Sequence, residues 1–222
     1  MNYDSVPLRD FKELNDWETV IFVYQSALKQ VETKIDILNG EFQHRHKYNP
    51  IEHVKSRIKT PESIVKKLKR HGYESSIENM VRYVNDIAGI RISCSFTSDI
   101  YLIADMISKQ NDLTILARRD YMKNPKKSGY RSYHMLVTTP VFLSDSIIDT
   151  KVEIQIRTVA QDFWATLEHK MHYKFEGDGP DYITKELREC ARYVAELDTR
   201  MEELNNEIQK LENYQIKNKK SP

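Results

Sequence analysis

Apolar residues recur along this chain with two periods, and the switches between them outline the fold. Trp17, Ile21, Tyr24, Leu28, Val31, Ile35, Leu38 and Phe42 are separated by alternating steps of four and three. That spacing predicts a long amphipathic helix over about 11–46, polar around the rest of its circumference. A second stripe, Leu187, Cys190, Val194, Leu197, Met201, Leu204, Ile208 and Leu211, keeps heptad a and d positions for more than three heptads without a glycine. A helix of that length, predicted over 180–215, cannot bury its whole stripe on a small core. It should pack on the first helix, on another subunit, or on both.

Between the helices the period shortens to two. In Lys151–Arg157, Val152, Ile154 and Ile156 alternate with Glu153, Gln155 and Arg157, a strand with one apolar and one polar face. The polar face is either solvated or the floor of a site. Glu153 and Arg157 lie about 13 Å apart along such a strand, too far for direct contact. A second strand sets Ile90, Ile92, Cys94 and Phe96 opposite Arg91, Ser93 and Ser95, with Asp86 at its mouth. Residues 113–117 form another. Residues 130–137 follow, with Tyr130 and His134 on one face as an aromatic plate and a phosphate-directed donor.

Shorter helices are punctuated by their caps. Thr60 suits an N-cap, Pro61 the first helical position, Glu62 the positive end of the dipole, and Gly72 the end. Ser75 and Glu78 have capping-box spacing for a helix through about Val84, and Thr158 and Gln161 for another that turns Ala160, Phe163, Trp164, Leu167 and Met171 inward. Ser98–Gln110 reads as a helix with Ile100, Ile103 and Ile107 inward.

The 222 residues suffice for one domain with a helical appendage. Lys+Arg 34 against Asp+Glu 33 gives a net charge of +1, so no global field points to nucleic acid or membrane. The distribution is uneven: seven basic residues and one acid lie between Lys55 and His71, and the balance reverses from Glu176 to Glu212. Cys94 and Cys190 have neither metal-ligand nor disulfide-scaffold spacing and read as buried thiols. His44 and His46 have no third ligand at hand. The chain shows no signal-peptide pattern and no apolar run long enough to span a membrane, which points to the cytoplasm.

Several features suit a phosphorylated ligand. Ser63, Lys67 and Arg70 follow at i, i+4 and i+7 behind a helix N-terminus, with Lys59 just before it, an arrangement that can hold phosphates or merely face solvent. The loop RRDYMKNPKKSG carries Arg118, Arg119, Lys123, Lys126 and Lys127. If their strands are neighbours, Asp86 and Glu153 would make a Mg²⁺ site, since that ion takes one or two carboxylates plus substrate phosphates. Asp162 starts the helix after Glu153 and falls near the same place. Metal, cations and a carboxylate near a hydroxyl are what phosphoryl-type transfer needs.

The motifs RIKTPESIVKKLKR, DIAGIRI, GYRSYH and VEIQIRTVAQDFWATLEHK, in that order between Asn49 and Lys174, resemble the synthetase domain of RelA/SpoT-type alarmone enzymes, and the stand-alone small alarmone synthetases most closely. The resemblance implies an α+β fold, a mixed sheet of about five strands flanked by helices and akin to nucleotidyltransferases, with a catalytic core over 49–174 between the long helices of one synthetase domain. It implies transfer of pyrophosphate from ATP to the 3′-OH of GDP or GTP, giving (p)ppGpp of the stringent response and AMP. By the same resemblance Arg57 and Arg91 sandwich the adenine, and Lys59, Ser63, Lys67 and Arg70 hold the ATP phosphates. Asp86 and Glu153 bind Mg²⁺, with Glu153 also taking the 3′-OH proton. Tyr130 stacks on guanine, Arg119, Lys126 and His134 lie near the acceptor phosphates, and Gln155 lies near the acceptor. Asp162 replaces an asparagine of some relatives and can accept from the guanine edge. Small members form homotetramers.

Two other readings compete. A nucleotidyltransferase extending an RNA end predicts steeply salt-dependent RNA binding. A non-catalytic module binding guanine nucleotides or RNA through the basic loop predicts binding without release of AMP. The positive surface is too local for a stable nucleic-acid partner.

Overall fold

The computed structural model describes residues 16–46, 48–174 and 180–219, and the side chains within them except at 172–174 and 212–219. Its elements follow the period changes of the sequence. A long helix α1 (Trp17–His46) leads into β1 (Ile51–Ile58), α2 (Pro61–Arg70), α3 (Ile77–Tyr83), β2 (Ala88–Cys94), α4 (Thr97–Ser108) and β3 (Thr114–Asp120). Then come β4 (Tyr133–Phe142), β5 (Ile147–Thr158), α5 (Val159–Lys174) and α6 (Asp181–Lys219). The part of the expected first helix before residue 16 lies outside the described residues.

Five strands form one mixed sheet in the order β1-β2-β5-β4-β3, with β2 and β5 parallel and the other pairs antiparallel. The apolar side chains of the alternating strands, Ile90, Ile92, Val152, Ile154 and Ile156, are all buried on the face that α1 covers. Val20, Val23, Tyr24, Ala27, Leu28, Val31 and Ile35 of α1 are buried with them. Each such aliphatic side chain contributes about 1.5–3 kcal/mol, and Ile154→Ala at the centre would cost about 2–5 kcal/mol through the cavity left behind. The opposite face of β5 carries the polar set and is left for the cleft.

Capping residues fix where the short helices begin. Thr60 Oγ1 accepts from Ser63 N at 3.3 Å. Thr158 N donates to Gln161 Oε1 at 3.2 Å while Gln161 N donates to Thr158 Oγ1 at 3.1 Å, a reciprocal capping box. At the third helix the cap is Ser76 instead of the expected Ser75, because Ser76 is the residue whose hydroxyl reaches an orphan amide, that of Asn79.

The inward face of α5 is also rotated from expectation. Phe163 and Met171 are exposed, whereas Gln161, Trp164 and Ala165 are buried. The polar Gln161 turns inward because it both caps its helix and donates to Asp198 Oδ2 of α6 at 2.7 Å. The same contacts orient α6. Its polar residues Asp198 and Glu202 hold Thr158, Gln161 and the Ser98 amide, while Leu197, Met201, Leu204, Ile208 and Leu211 of the heptad stripe are exposed. Cys94 is buried as expected, but Cys190 is exposed on α6.

Candidate active site

The register sets the polar side chains of the sheet in rows. Lys55, Arg91, Gln155, His134 and Arg119 are aligned across all five strands. The adjacent row runs Arg57, Gly89, Glu153, Leu136 and Ala117. Above them opens a cleft of about 620 Å³, closed on one side by Ala165, Thr166 and His169 of α5 and on another by the loop 121–132. A smaller cavity of about 190 Å³ continues it toward β1, past Lys55, Ser56 and Gly89. Asp86 and Glu153 line both volumes. A side-chain carbon at Gly89 would meet nothing within 4 Å, so this glycine leaves the floor open between Arg57 and Glu153.

Asp86 lies in the turn before β2, not in the strand itself. Lys59 Nζ donates to its Oδ2 at 2.7 Å and Lys67 Nζ to its Oδ1 at 2.6 Å. Burial would raise its pKa, but the two ammonium groups outweigh burial and hold the carboxyl at about 2. The turn is fastened by Lys59 N, which donates to Ile87 O at 2.8 Å, and by Lys151, whose Nζ donates to Asn85 Oδ1 at 2.8 Å and Arg82 O at 3.2 Å. Burial pushes the Lys151 ammonium down to about 8. Sequence reasoning missed this lysine. Its signal was there, since Lys151, Glu153, Gln155 and Arg157 continue one face of the strand.

Glu153 belongs to a closed ring of contacts. Its Oε2 accepts from Gln155 Nε2 at 2.9 Å, and Gln155 Oε1 accepts from Arg157 Nη2 at 2.7 Å. Arg157 Nη2 also donates to Tyr130 Oη at 3.0 Å, Tyr130 Oη lies 2.9 Å from His134 Nε2, and His134 Nδ1 lies 3.6 Å from Glu153 Oε1. The consistent proton assignment has the tyrosine donating to Nε2, which leaves Nδ1–H facing the carboxylate. Burial raises the Glu153 pKa, but His134 and Gln155 together bring it below the usual glutamate value, against the opposing charge of Asp86. The sequence marks Arg157 only as part of the polar strand face. Its burial at 2% exposure and its place in the ring make it part of the site.

The other expected residues are distributed unequally. Arg57, Arg91, Arg119 and Lys126 line the cleft. Lys126 Nζ lies over the rings of Tyr121 and Tyr130, 4.9 and 4.7 Å from their centroids. Tyr130 reaches His134 from the loop before β4, not from the same strand. Lys67 brings the α2 stripe into the cleft lining, whereas Ser63 and Arg70 are exposed and outside it. The Asp162 Oδ1 is shared between Arg91 Nη1 at 3.3 Å and Arg157 Nη1 at 3.5 Å. Nε of both arginines is buried without a hydrogen-bond partner.

Among the described residues no three His, Cys, Asp or Glu side chains converge to hold a metal by themselves. The two carboxylates at the junction of the cavities instead suit an ion whose shell is completed by substrate phosphates. Two lobes, cations on both and carboxylates between them make a site for joining two anionic ligands.

The model of the region found in RelA and SpoT proteins matches residues 56–178. The chain belongs to the RelA/SpoT family. Within it the chain is 45% identical over 195 residues to the GTP pyrophosphokinase YwaC of Bacillus subtilis, covering 88% of this chain and 93% of that protein. Its fold is similar to small alarmone synthetase 1 of Bacillus subtilis bound to pppGpp, with a TM-score of 0.81 and 34% identity over 87% of this chain and 98% of that one. It is likewise similar to the same synthetase bound to AMPCPP, with a TM-score of 0.75 and 32% identity over 87% and 98% of the two chains. No helix among the described residues is long and apolar enough to cross a membrane.

Proposed function

We propose that this family member is a GTP pyrophosphokinase that moves the β,γ-pyrophosphoryl group of ATP onto the ribose 3′-oxygen of GDP or GTP. The observation that carries the reading is the meeting of two cation-lined volumes at Asp86 and Glu153. ATP occupies the β1–β2 side, its adenine between Arg57 and Arg91 and its phosphates against Lys59 and Lys67. The acceptor occupies the side of Tyr130, with its base on the tyrosine ring and its phosphates toward Arg119 and His134. Stacking requires Lys126 to leave the face of Tyr130, which frees its ammonium for a phosphate. Ser63 and Arg70 extend the phosphate-holding stripe at the mouth of the site. Asp162 acts on the acceptor through Arg157 and on the donor through Arg91, the two arginines it holds.

Glu153 enters the reaction ionised, fixed by Gln155 and His134. It orients the 3′-OH and takes its proton as the oxygen bonds to Pβ and the bond from Pβ to the α,β-bridging oxygen breaks, releasing AMP. Mg²⁺, held by Asp86, Glu153 and the substrate phosphates, would supply charge neutralisation at the transferred group. Lys59 and Lys67, now paired with Asp86, can reach the phosphates of a bound donor on their flexible stems and would exchange one anion for the other.

The exposed heptad stripe of α6 supports a homo-oligomer, which we read as a homotetramer in the cytoplasm with no nucleic-acid partner. Glu153→Gln separates this function from simple nucleotide binding. The variant should bind both nucleotides and fold normally while AMP release falls at least a hundredfold, the scale of a lost general base. Normal turnover in a folded Glu153→Gln protein would remove its roles as base and metal ligand.

A further inference from the structure

The acceptor wall of the cleft rests on the C-terminal helix, and we infer that Ala191 and Trp164 are positioning residues for Tyr130, through which α6 sets the affinity for the guanine nucleotide. The inference rests on the reading of Tyr130 as the acceptor-base plate. Three observations carry it. Trp164, Ala165 and Ala191 form a small core separate from the main one, with Tyr130 and Val194 packed against it. Trp164 Nε1 donates to Leu187 O of α6 at 2.9 Å, which fixes the indole where it backs the loop. Gly129, the residue before Tyr130, has φ +91°, and a side-chain carbon there would fall 2.5 Å from Ala191 Cβ.

The loop therefore crosses α6 at a separation that excludes any side chain, and does so in a backbone conformation that favours glycine. These are independent constraints on one residue. Beside the crossing a cavity of about 370 Å³ separates loop from helix, lined by Pro125, Arg131 and Arg188. The loop is thus not clamped along its whole length, and the Gly129–Ala191 contact with the indole beneath determines where the Tyr130 ring stands. None of these residues lines the ATP side of the site, so their loss should fall on the acceptor alone.

A mutant cycle tests this. Gly129→Ala should raise the KM for GDP or GTP at least tenfold with the KM for ATP within twofold. Adding Ala191→Gly removes the colliding atom while leaving the backbone strain, so the double variant should recover a substantial part of the acceptor KM. No recovery would assign the damage to backbone strain alone and overturn the role of α6. Should Gly129→Ala fail to fold, Trp164→Phe carries the test, since it keeps a ring but loses the bond to Leu187 O. A rise in acceptor KM alone supports the inference, and an equal change in both KM values, or none, overturns it. Tyr130→Ala, measured alongside, distinguishes the two levels. If it leaves the acceptor KM unchanged, the base-plate reading fails and this inference with it. If it raises the acceptor KM while the α6 variants do not, the inference alone fails.

Discussion

Arg157 Nη2 donates to Gln155 Oε1 at 2.7 Å, and this bond decides which end of the amide faces Glu153. With its oxygen held by the guanidinium, Gln155 presents its nitrogen to the carboxylate at 2.9 Å. An arginine and a glutamate too far apart to touch are thereby joined, and the same guanidinium reaches Tyr130.

Arg157→Met should break this ring while filling a similar volume. Bonds to charged groups are worth about 1.5–3 kcal/mol each. Loss of those to Gln155 and Tyr130, about 3–6 kcal/mol together, should lower kcat/KM for the acceptor by roughly 100- to 10,000-fold on that scale. Steady-state kinetics with each nucleotide varied in turn would check it, and an unchanged acceptor kcat/KM would show that the ring is not needed for turnover.

Asp86 is paired with two ammonium groups, and a divalent cation bound there would have to compete with them. Lys67→Met removes one competitor. Nucleotide-free protein should then bind Mn²⁺ more tightly, while the KM for ATP rises roughly tenfold, the cost of about one charge-assisted phosphate contact. Electron paramagnetic resonance titration of Mn²⁺ reads the first effect. Unchanged metal affinity would mean that Asp86 is not a metal ligand.

Much of this site was legible before the structure, and the part that was not has a physical reason. Alternation along β5 marked Glu153 and Gln155 as one face, and a strong cap marked Thr60 as the start of a helix. Proximity in the register could not be read from one strand at a time. The alignment of Arg91, Gln155, His134 and Arg119 depends on β2 pairing parallel to β5. Nor could the burial of Lys151 be read, since a lysine on a polar strand face is ordinarily solvated. The α6 stripe was correctly read as too long for the core. Which part stays exposed followed only from Asp198 and Glu202 turning the helix's polar side toward α4 and α5.

Asp99 gives a prediction about pH. Burial pushes its carboxyl above the ordinary value of 3.8, ahead of the opposing hydrogen bonds from Tyr48 and the Phe96 amide, and the charges of Glu202 and Glu52 add to the rise. The folded state therefore favours the neutral acid. Its favourable contribution is complete below pH 3.8 and is lost as pH rises through the folded value. Both hydrogen bonds land on Oδ2, at 2.7 and 3.1 Å, so an asparagine oxygen can accept both. Asp99→Asn should melt at or above the parent temperature at pH 7, and lose that advantage toward pH 3.8. Thermal melts across this range would decide it. A variant weaker at pH 7 than at pH 4 relative to the parent would contradict the sign.

Leu204 and Met201 are about half exposed in the single chain and contribute little to its core. Leu204→Glu should leave the melting of the isolated fold within about 0.5 kcal/mol, as for a surface substitution, while shifting the protein to a smaller assembly. Sedimentation velocity would show the change. An assembly of undiminished size would place the subunit contact elsewhere.

In the proposed reaction a pyrophosphoryl group moves intact between two nucleotides meeting at Asp86 and Glu153. Incubation with ATP labelled at the β-phosphorus, Mg²⁺ and GDP or GTP, followed by anion-exchange separation, tests it directly. All transferred label should enter a more highly charged guanosine nucleotide, with equimolar unlabelled AMP, and Asp86→Ala should abolish the transfer. Label retained in ADP, or ATP left intact beside tightly bound guanine nucleotide, would contradict it.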